Sequence, residues 1–230
     1  MNTRGLLDQL LKSGQDLLQN KAGAKPSGST NSLGGLGGML SGAGGGALAA
    51  SAFGLLLGNK KARNVGGKVL TYGGLAALGV LAYKAYGNWQ AKQAVAPGVE
   101  PQTIDRVSEA QVETHSQAIL VALVAAAKAD GHVDEREREL IEGEFTKINP
   151  DHEFQQWLHT ELGRPLDPAQ VASAASTPEI ASEMYLASLM MVDEQQFMER
   201  AYLDELARQL RLAPGLKAEL DAQVSETLSR

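Results

Sequence analysis

Cysteine is absent from the 230-residue chain, and aromatic residues make up only 5% of it. Without thiols the chain forms no disulfide and offers no thiolate nucleophile or cysteine-based zinc site. The hydrophobic fraction of 43% is therefore carried by small and aliphatic residues, which suit closely packed helices. The sequence also lacks a nucleophile elbow, a phosphate-binding loop and a dinucleotide-binding fingerprint, so we expect a protein that is not an enzyme.

Acidic residues are scarce in residues 1–99, which hold ten Lys and Arg against two Asp, whereas residues 100–230 hold eleven basic and twenty-five acidic residues. The acidic C-terminal part would repel phosphates, so we predict no nucleic-acid partner. The basic N-terminal part favours contact with anionic lipid. We therefore predict membrane lipid as a partner, with a homo-oligomer or other envelope proteins as further candidates.

Charge is missing altogether from residues 27–59, where a small residue recurs at every fourth position from 34 to 58. In lipid such a stripe lets helices approach closely, whereas in water the composition is typical of a flexible linker. A second uncharged apolar run, residues 69–83, predicts a short transmembrane helix near residues 69–86, because lysines and interfacial aromatic residues flank the run. One span, a hairpin of two spans and a buried soluble helix are all compatible with these patterns. A basic cluster before the run favours an acidic domain on the periplasmic side.

These patterns divide the chain into four parts. Residues 1–32 predict an amphipathic helix and a flexible linker, residues 33–93 contain the glycine-rich apolar segment and its span, and residues 94–102 form a linker interrupted by proline. Residues 103–230 predict a compact all-α bundle of six or seven helices, since apolar residues recur there with helical spacing and proline and glycine occur only at the joints.

An acidic turn stands out in the predicted bundle, where an alanine-rich helix ends at Asp130-Gly131 and a charged helix begins at Asp134. Glycine suits the left-handed position just past a helix end. Asp134 and Glu137 have the spacing of a capping box, so helix capping explains them. Alternatively, Asp130, Asp134 and Glu137 bind a hard divalent cation such as Ca²⁺ or Mg²⁺, which prefers oxygen ligands. The spacing does not match an EF-hand, and the residues alone leave both interpretations open.

Two stretches of the chain resemble the TerB-like helical family, named after tellurite-resistance protein B. The first is residues 119–145, ILVALVAAAKADGHVDERERELIEGEF, and the second combines EMYLASLMMVD at 183–193 with ERAYLDEL at 199–206. With the glycine-rich segment upstream, the chain is similar to the YebE-type inner-membrane proteins. The resemblance implies a TerB-like bundle at the bacterial inner membrane and a metal site. Its ligands would be Asp130, Asp134, Glu137 and Asp193.

We therefore expect a membrane-anchored, non-catalytic TerB-like module that binds a divalent cation or a protein partner through its acidic turns. The resemblance implies a role in envelope stress or metal homeostasis, and no cofactor other than a divalent cation is expected. The alternative is a structural scaffold that oligomerises through the glycine stripe, with acidic turns that only cap helices. A third hypothesis, a metal-assisted hydrolase, would require turnover of a phosphate or an ester.

Overall fold

The computed structural model describes residues 3–7, 75–93, 100–129, 131, 133, 135–148, 151–192 and 196–229 of the chain. All regular secondary structure in these ranges is α-helical, which confirms the predicted fold class for this part of the chain. A short helical segment at residues 3–7 precedes eight further helices in the described ranges. They are α1 (Leu75–Lys92), α2 (Glu109–Ala127), α3 (Glu135–Ile148), α4 (His152–Gly163), α5 (Pro168–Ala172), α6 (Pro178–Met191), α7 (Phe197–Gln209) and α8 (Pro214–Ser229).

Helix α6 forms the centre of the fold. Its residues 180–191 are all buried, and it packs against α1, α2, α7 and α8. Apart from Ser182, Glu183 and Ser188, these residues are apolar or aromatic on every side of the helix, a pattern that is expected at the core of a bundle. The most extensive contact is with α2, which is also rich in alanine and leucine and buries residues along most of its length. The α2–α6 pair is therefore the scaffold on which the other helices are arranged.

The starts of three helices follow from local sequence. The carboxylates of Asp151 and Asp167 accept hydrogen bonds from backbone amides at the starts of α4 and α5, and the Thr177 hydroxyl does the same at α6. Proline occupies the first position of α5 and α6, where its missing N–H has no intrahelical partner to lose. The local sequence at Asp167-Pro168 and Thr177-Pro178 is therefore sufficient to start α5 and α6.

Helix α1 contains most of the predicted membrane span, of which residues 69–74 lie outside the described part. Its buried face, which includes Leu75, Leu78, Ala82 and Ala85, packs against α8 and α6. Within the described ranges, none of the helices combines the length with the hydropathy that a bilayer crossing needs. The apolar residues of α1 are instead accommodated in the same hydrophobic core as the helices that follow residue 103.

Gly79 allows α1 to lie directly against the turn that precedes α2. A Cβ atom at this position would lie 3.0 Å from the amide nitrogen of Asp105 and closer still to the Asp105 carboxylate. At Gly87 of the same helix, a Cβ atom would meet no atom within 4 Å. The two glycines thus differ in their surroundings but share the same helix.

We expect Gly79→Ala to lower the free energy of unfolding by about 1 kcal/mol or more, because overpacking outweighs the gain in helix propensity. Gly87→Ala should raise it by about 0.5–1 kcal/mol, the usual gain when alanine replaces glycine inside a helix. Urea denaturation of the full chain followed by circular dichroism measures both changes. A stabilising Gly79→Ala would contradict the packing of α1 on this turn.

Candidate functional site

Helices α2 and α6 run side by side in the same direction. The Nδ1 atom of His115 lies 2.6 Å from Oε2 of Glu183, and further along both helices the Ser188 hydroxyl donates to the Ala122 carbonyl at 3.5 Å. The second contact lies at higher residue numbers than the first on both helices, so α2 and α6 are parallel. Their C-terminal ends therefore lie at the same end of the bundle, which we call the turn end.

The predicted metal ligands follow the two helix ends that meet at the turn end. Asp130, Asp134 and Asp193 lie outside the described residues, and so does the side chain of Glu137, whose backbone belongs to α3. No three His, Asp or Glu side chains in the described ranges are grouped so that they could hold a metal ion. What the fold brings together is the pair of helix ends from which the two acidic segments leave.

The backbone after α2 turns at Gly131. This residue has a φ angle of 101°, and its N–H donates to the carbonyl of Lys128 at 3.1 Å. A residue with a Cβ atom would be strained at such a positive φ angle. The predicted left-handed glycine just past the helix end is confirmed.

Lys128 connects the end of α2 to the end of α4. Its Nζ atom donates to the carbonyl oxygens of Glu161 at 2.8 Å and of Arg164 at 2.5 Å, and the residue is only 9% exposed. Burial lowers the pKa of the Lys128 amine, and the nearby Glu161 carboxylate partly opposes this effect. The two carbonyls belong to the C-terminal end of α4, where backbone acceptors have no helical partner. Lys128 thus satisfies these acceptors and holds two helix ends together at the turn end.

Glu183 is a fully buried carboxylate within α6 that the sequence analysis did not identify. Its Oε1 atom accepts the backbone N–H of Ile104 at 2.6 Å, and Oε2 contacts His115, which is 4% exposed. The residue joins α6 to α2 and to the turn before α2. The sequence alone could have identified Glu183, because it is the one charged residue among the otherwise uncharged residues 180–191. We assign this pair a structural role, because both side chains are almost completely enclosed by the protein and their contacts join three segments of the core.

The N-terminal segment, residues 3–7, docks on α2. The backbone N–H groups of Thr3 and Arg4 donate to the Glu113 carboxylate at 2.7 and 3.2 Å, and Leu6 and Leu7 are buried. Glu113 thus acts as an N-cap supplied by another helix, since it accepts amides that have no partner within the segment. The sequence predicts an amphipathic helix in this region. Its described part packs on its own chain.

We expect the docking of residues 3–7 to weaken in acid. Burial raises the pKa of the Glu113 carboxyl, but the hydrogen bonds from the Thr3 and Arg4 amides outweigh burial and hold the pKa below its usual value. A depressed folded-state pKa means that the stabilisation is fully present above the unfolded-state pKa and is lost as the pH falls through the folded-state pKa. Hydrogen-exchange protection factors of residues 3–7, measured as the pH is lowered, report this loss.

At neutral pH, Glu113→Gln should lower these protection factors, because the carboxylate that accepts both amides is removed. Glu109→Gln is the matched control, since Glu109 lies one turn earlier on α2 and is exposed. Equal protection in Glu113→Gln and in the unmodified chain would show that Glu113 does not hold the segment.

Comparison with known proteins places the chain among uncharacterised relatives. A protein of Yersinia enterocolitica, "Uncharacterized protein in ampR 5'region", is 30% identical over 127 residues, which cover 55% of this chain and 90% of that protein. No solved structure matches the chain. A family model matches residues 42–224, a range that includes seven of the eight helices and most of α8. The chain therefore belongs to the family described as "Protein of unknown function (DUF533)", which is related to the TerB-like proteins.

Proposed function

We propose that the protein is a non-catalytic, TerB-like binding module that takes a divalent cation at its turn end. Recognition of a protein partner by the same acidic surface is the second form of this proposal. The observation that carries it is the parallel packing of α2 and α6, defined by the His115–Glu183 and Ser188–Ala122 contacts. Each helix ends at the turn end, and each is followed in the sequence by aspartate.

The electrostatics of helix ends support a cation at this position. The C-terminal end of a helix carries a partial negative charge and free carbonyl oxygens, both of which favour cations. Ca²⁺ and Mg²⁺ are bound in proteins by carboxylate and carbonyl oxygens. The one buried cation at the described part of the turn end, Lys128, is already engaged by the carbonyls of Glu161 and Arg164. Lys128 therefore stabilises the end of α4, and its amine is not needed to neutralise the acidic segments, which can bind another cation.

Attachment to the bacterial inner membrane is a further part of the proposal. It rests on the uncharged residues 27–59 and on the basic character of residues 1–99. Residues 8–74, which contain the glycine stripe and the first six residues of the predicted span, lie outside the described part of the chain. Membrane attachment and the alternative of a glycine-striped scaffold both stay predictions. A role in envelope stress or metal homeostasis is supported by the resemblance to TerB-like proteins.

Calorimetric titration of the full chain with Ca²⁺, Mg²⁺, Mn²⁺ and Zn²⁺ tests the cation site. We expect saturable binding of at least one of the hard cations, and its loss in the Asp130→Asn/Asp134→Asn variant. A control variant, Glu109→Gln/Asp204→Asn, removes the same formal charge from two exposed positions and should bind normally. If none of the four cations binds saturably, the site is refuted and the carboxylates are helix caps.

A further inference from the structure

An open groove of about 630 Å³ lies at the N-terminal end of α6, away from the turn end. Tyr86 and Trp89 of α1 form one wall, and the connection between α5 and α6 forms a second. The third wall is the α7–α8 turn with Leu212 and Leu216. Its volume lies within the range of roughly 300–1,000 Å³ that is typical of small-molecule sites. The groove is therefore large enough for a ligand and is independent of the acidic turns.

The aromatic wall is held in place by close packing. The rings of Tyr86 and Trp89 meet edge to face with their centroids 5.6 Å apart. Gly215, at the start of α8, lets the Trp89 ring approach closely, since a Cβ atom there would lie 3.1 Å from Cδ1 of the indole. The wall is thus preformed, and Trp89 is only partly buried, so one side of the indole is available to a ligand.

The charge on the lining residues favours an anion, while burial and the nearby Glu179 carboxylate raise the pKa of the Tyr86 hydroxyl at one wall. None of its residues is acidic, in a chain with 27 acidic residues, and Arg211 is its one charged side chain. Arg211 is exposed and forms no ion pair with any residue that the structure describes. The N-terminal ends of α6 and α8 also border the groove, and helix N-termini carry partial positive charge.

The backbone of Arg211 adds a second reason to single it out. Its φ angle of 54° is the one positive value among described residues other than glycine. The N–H groups of Arg211 and Leu212 bond to the carbonyls of Arg208 and Ala207, the pattern of a Schellman motif in which glycine usually occupies the left-handed position. An arginine therefore occupies a position where glycine would fit with less strain, and residues with such backbone strain cluster at functional sites.

We propose that this groove binds a free fatty-acid carboxylate, with its alkyl chain along Trp89 and the leucines and its head group at Arg211. The groove walls combine apolar surface at Trp89 and the leucines with polar surface at Ser173, Ser176 and Gln209, so they suit an amphipathic molecule. The guanidinium of Arg211, which has no ion pair among the described residues, favours a negative head group. A monomeric ligand fits better than an anionic bilayer. Residues 100–230 surround most of the groove and hold twenty-five acidic residues against eleven basic ones. An anionic membrane surface would repel this part of the chain.

Trp89 fluorescence tests the proposal on the full chain. The chain has two tryptophans, so the Trp157→Phe variant leaves Trp89 as the sole reporter. Dodecanoate below its micelle concentration should change the emission saturably. Dodecyl maltoside and dodecyltrimethylammonium, which carry the same alkyl chain on neutral and cationic heads, should bind at least about tenfold more weakly. Equal binding of all three heads, or no saturable change, would overturn the assignment.

Two variants locate the site. Arg211→Gly removes the cation and relieves the left-handed strain, so it should stay folded and weaken dodecanoate binding about tenfold. Ser176→Phe places a ring in the groove and should abolish binding, while the control Arg136→Gln on α3 should have no effect. Unchanged affinity in Arg211→Gly would contradict the proposal. So would binding to anionic phospholipid vesicles without binding of dodecanoate, which would point to a membrane surface instead.

Discussion

Replacement of Glu183 by alanine is expected to lower the free energy of unfolding by about 4 kcal/mol, the usual cost of removing one partner from a buried, hydrogen-bonded pair. Both carboxylate oxygens are engaged, one by the Ile104 amide and the other by His115. Without the carboxylate, the amide and the imidazole lose their partner in the core, and water does not replace it because Glu183 is 0% exposed.

Two control variants separate the buried contacts of Glu183 from its charge. Glu183→Gln keeps an oxygen for the Ile104 amide and similar volume, so we expect a smaller loss of about 1–2 kcal/mol. Glu179→Ala, one turn earlier on α6 and partly exposed, should cost less than about 1 kcal/mol. Urea denaturation of each full-length variant gives the three values. A loss below about 1 kcal/mol in Glu183→Ala would show that this carboxylate does not join the helices.

Lys128→Met should lower the free energy of unfolding by about 2–3 kcal/mol. Methionine keeps the apolar stem, but the carbonyl oxygens of Glu161 and Arg164 lose a charged donor at the end of α4. The loss is expected to be large because the amine is buried and serves two acceptors. Exposed lysines lack both properties.

Lys84→Met on α1 is the matched control, since Lys84 is exposed and its replacement should change stability by less than about 0.5 kcal/mol. Thermal and urea denaturation of both variants provide the comparison. Equal stability of Lys128→Met and Lys84→Met would mean that Lys128 does not hold the ends of α2 and α4 together.

Local signals in the sequence were sufficient for the fold class and for several helix boundaries. Helices start at Asp167-Pro168 and Thr177-Pro178 because the first residue caps the backbone amides and proline suits the first helical position. The turn after α2 contains Gly131 because glycine tolerates a positive φ angle. Such signals act through the backbone groups of their own neighbours and need no tertiary partner. They are therefore readable without a structure.

Contacts between distant segments could not be read in this way. An apolar helix of the length of α1 fits a short membrane span as well as a bundle core, and its location in the core depends on partners such as Asp105, which meets Gly79. The parallel packing of α2 and α6 and the Glu183–His115 pair likewise join residues more than sixty positions apart. Periodicity within one helix contains no information on which other helix it will meet.

The groove at the N-terminal end of α6 illustrates the same limit. Its walls come from α1, the α5–α6 connection and the α7–α8 turn, which are far apart in sequence. Arg211 offered no motif, because its left-handed backbone becomes visible only in the structure. The predicted ligands Asp130, Asp134, Glu137 and Asp193 were found in sequence because they resemble a family pattern, and their coordination of a cation stays a prediction.

We expect both acidic turns to contribute to one cation site. Calorimetric titration of two full-length single variants, Asp193→Asn and Asp130→Asn, tests this central claim most directly. We predict one bound cation per unmodified chain and a loss of affinity of about tenfold or more in each variant, because α2 and α6 end at the same end of the bundle. Two independent sites per chain, or normal binding by Asp193→Asn, would contradict a shared site.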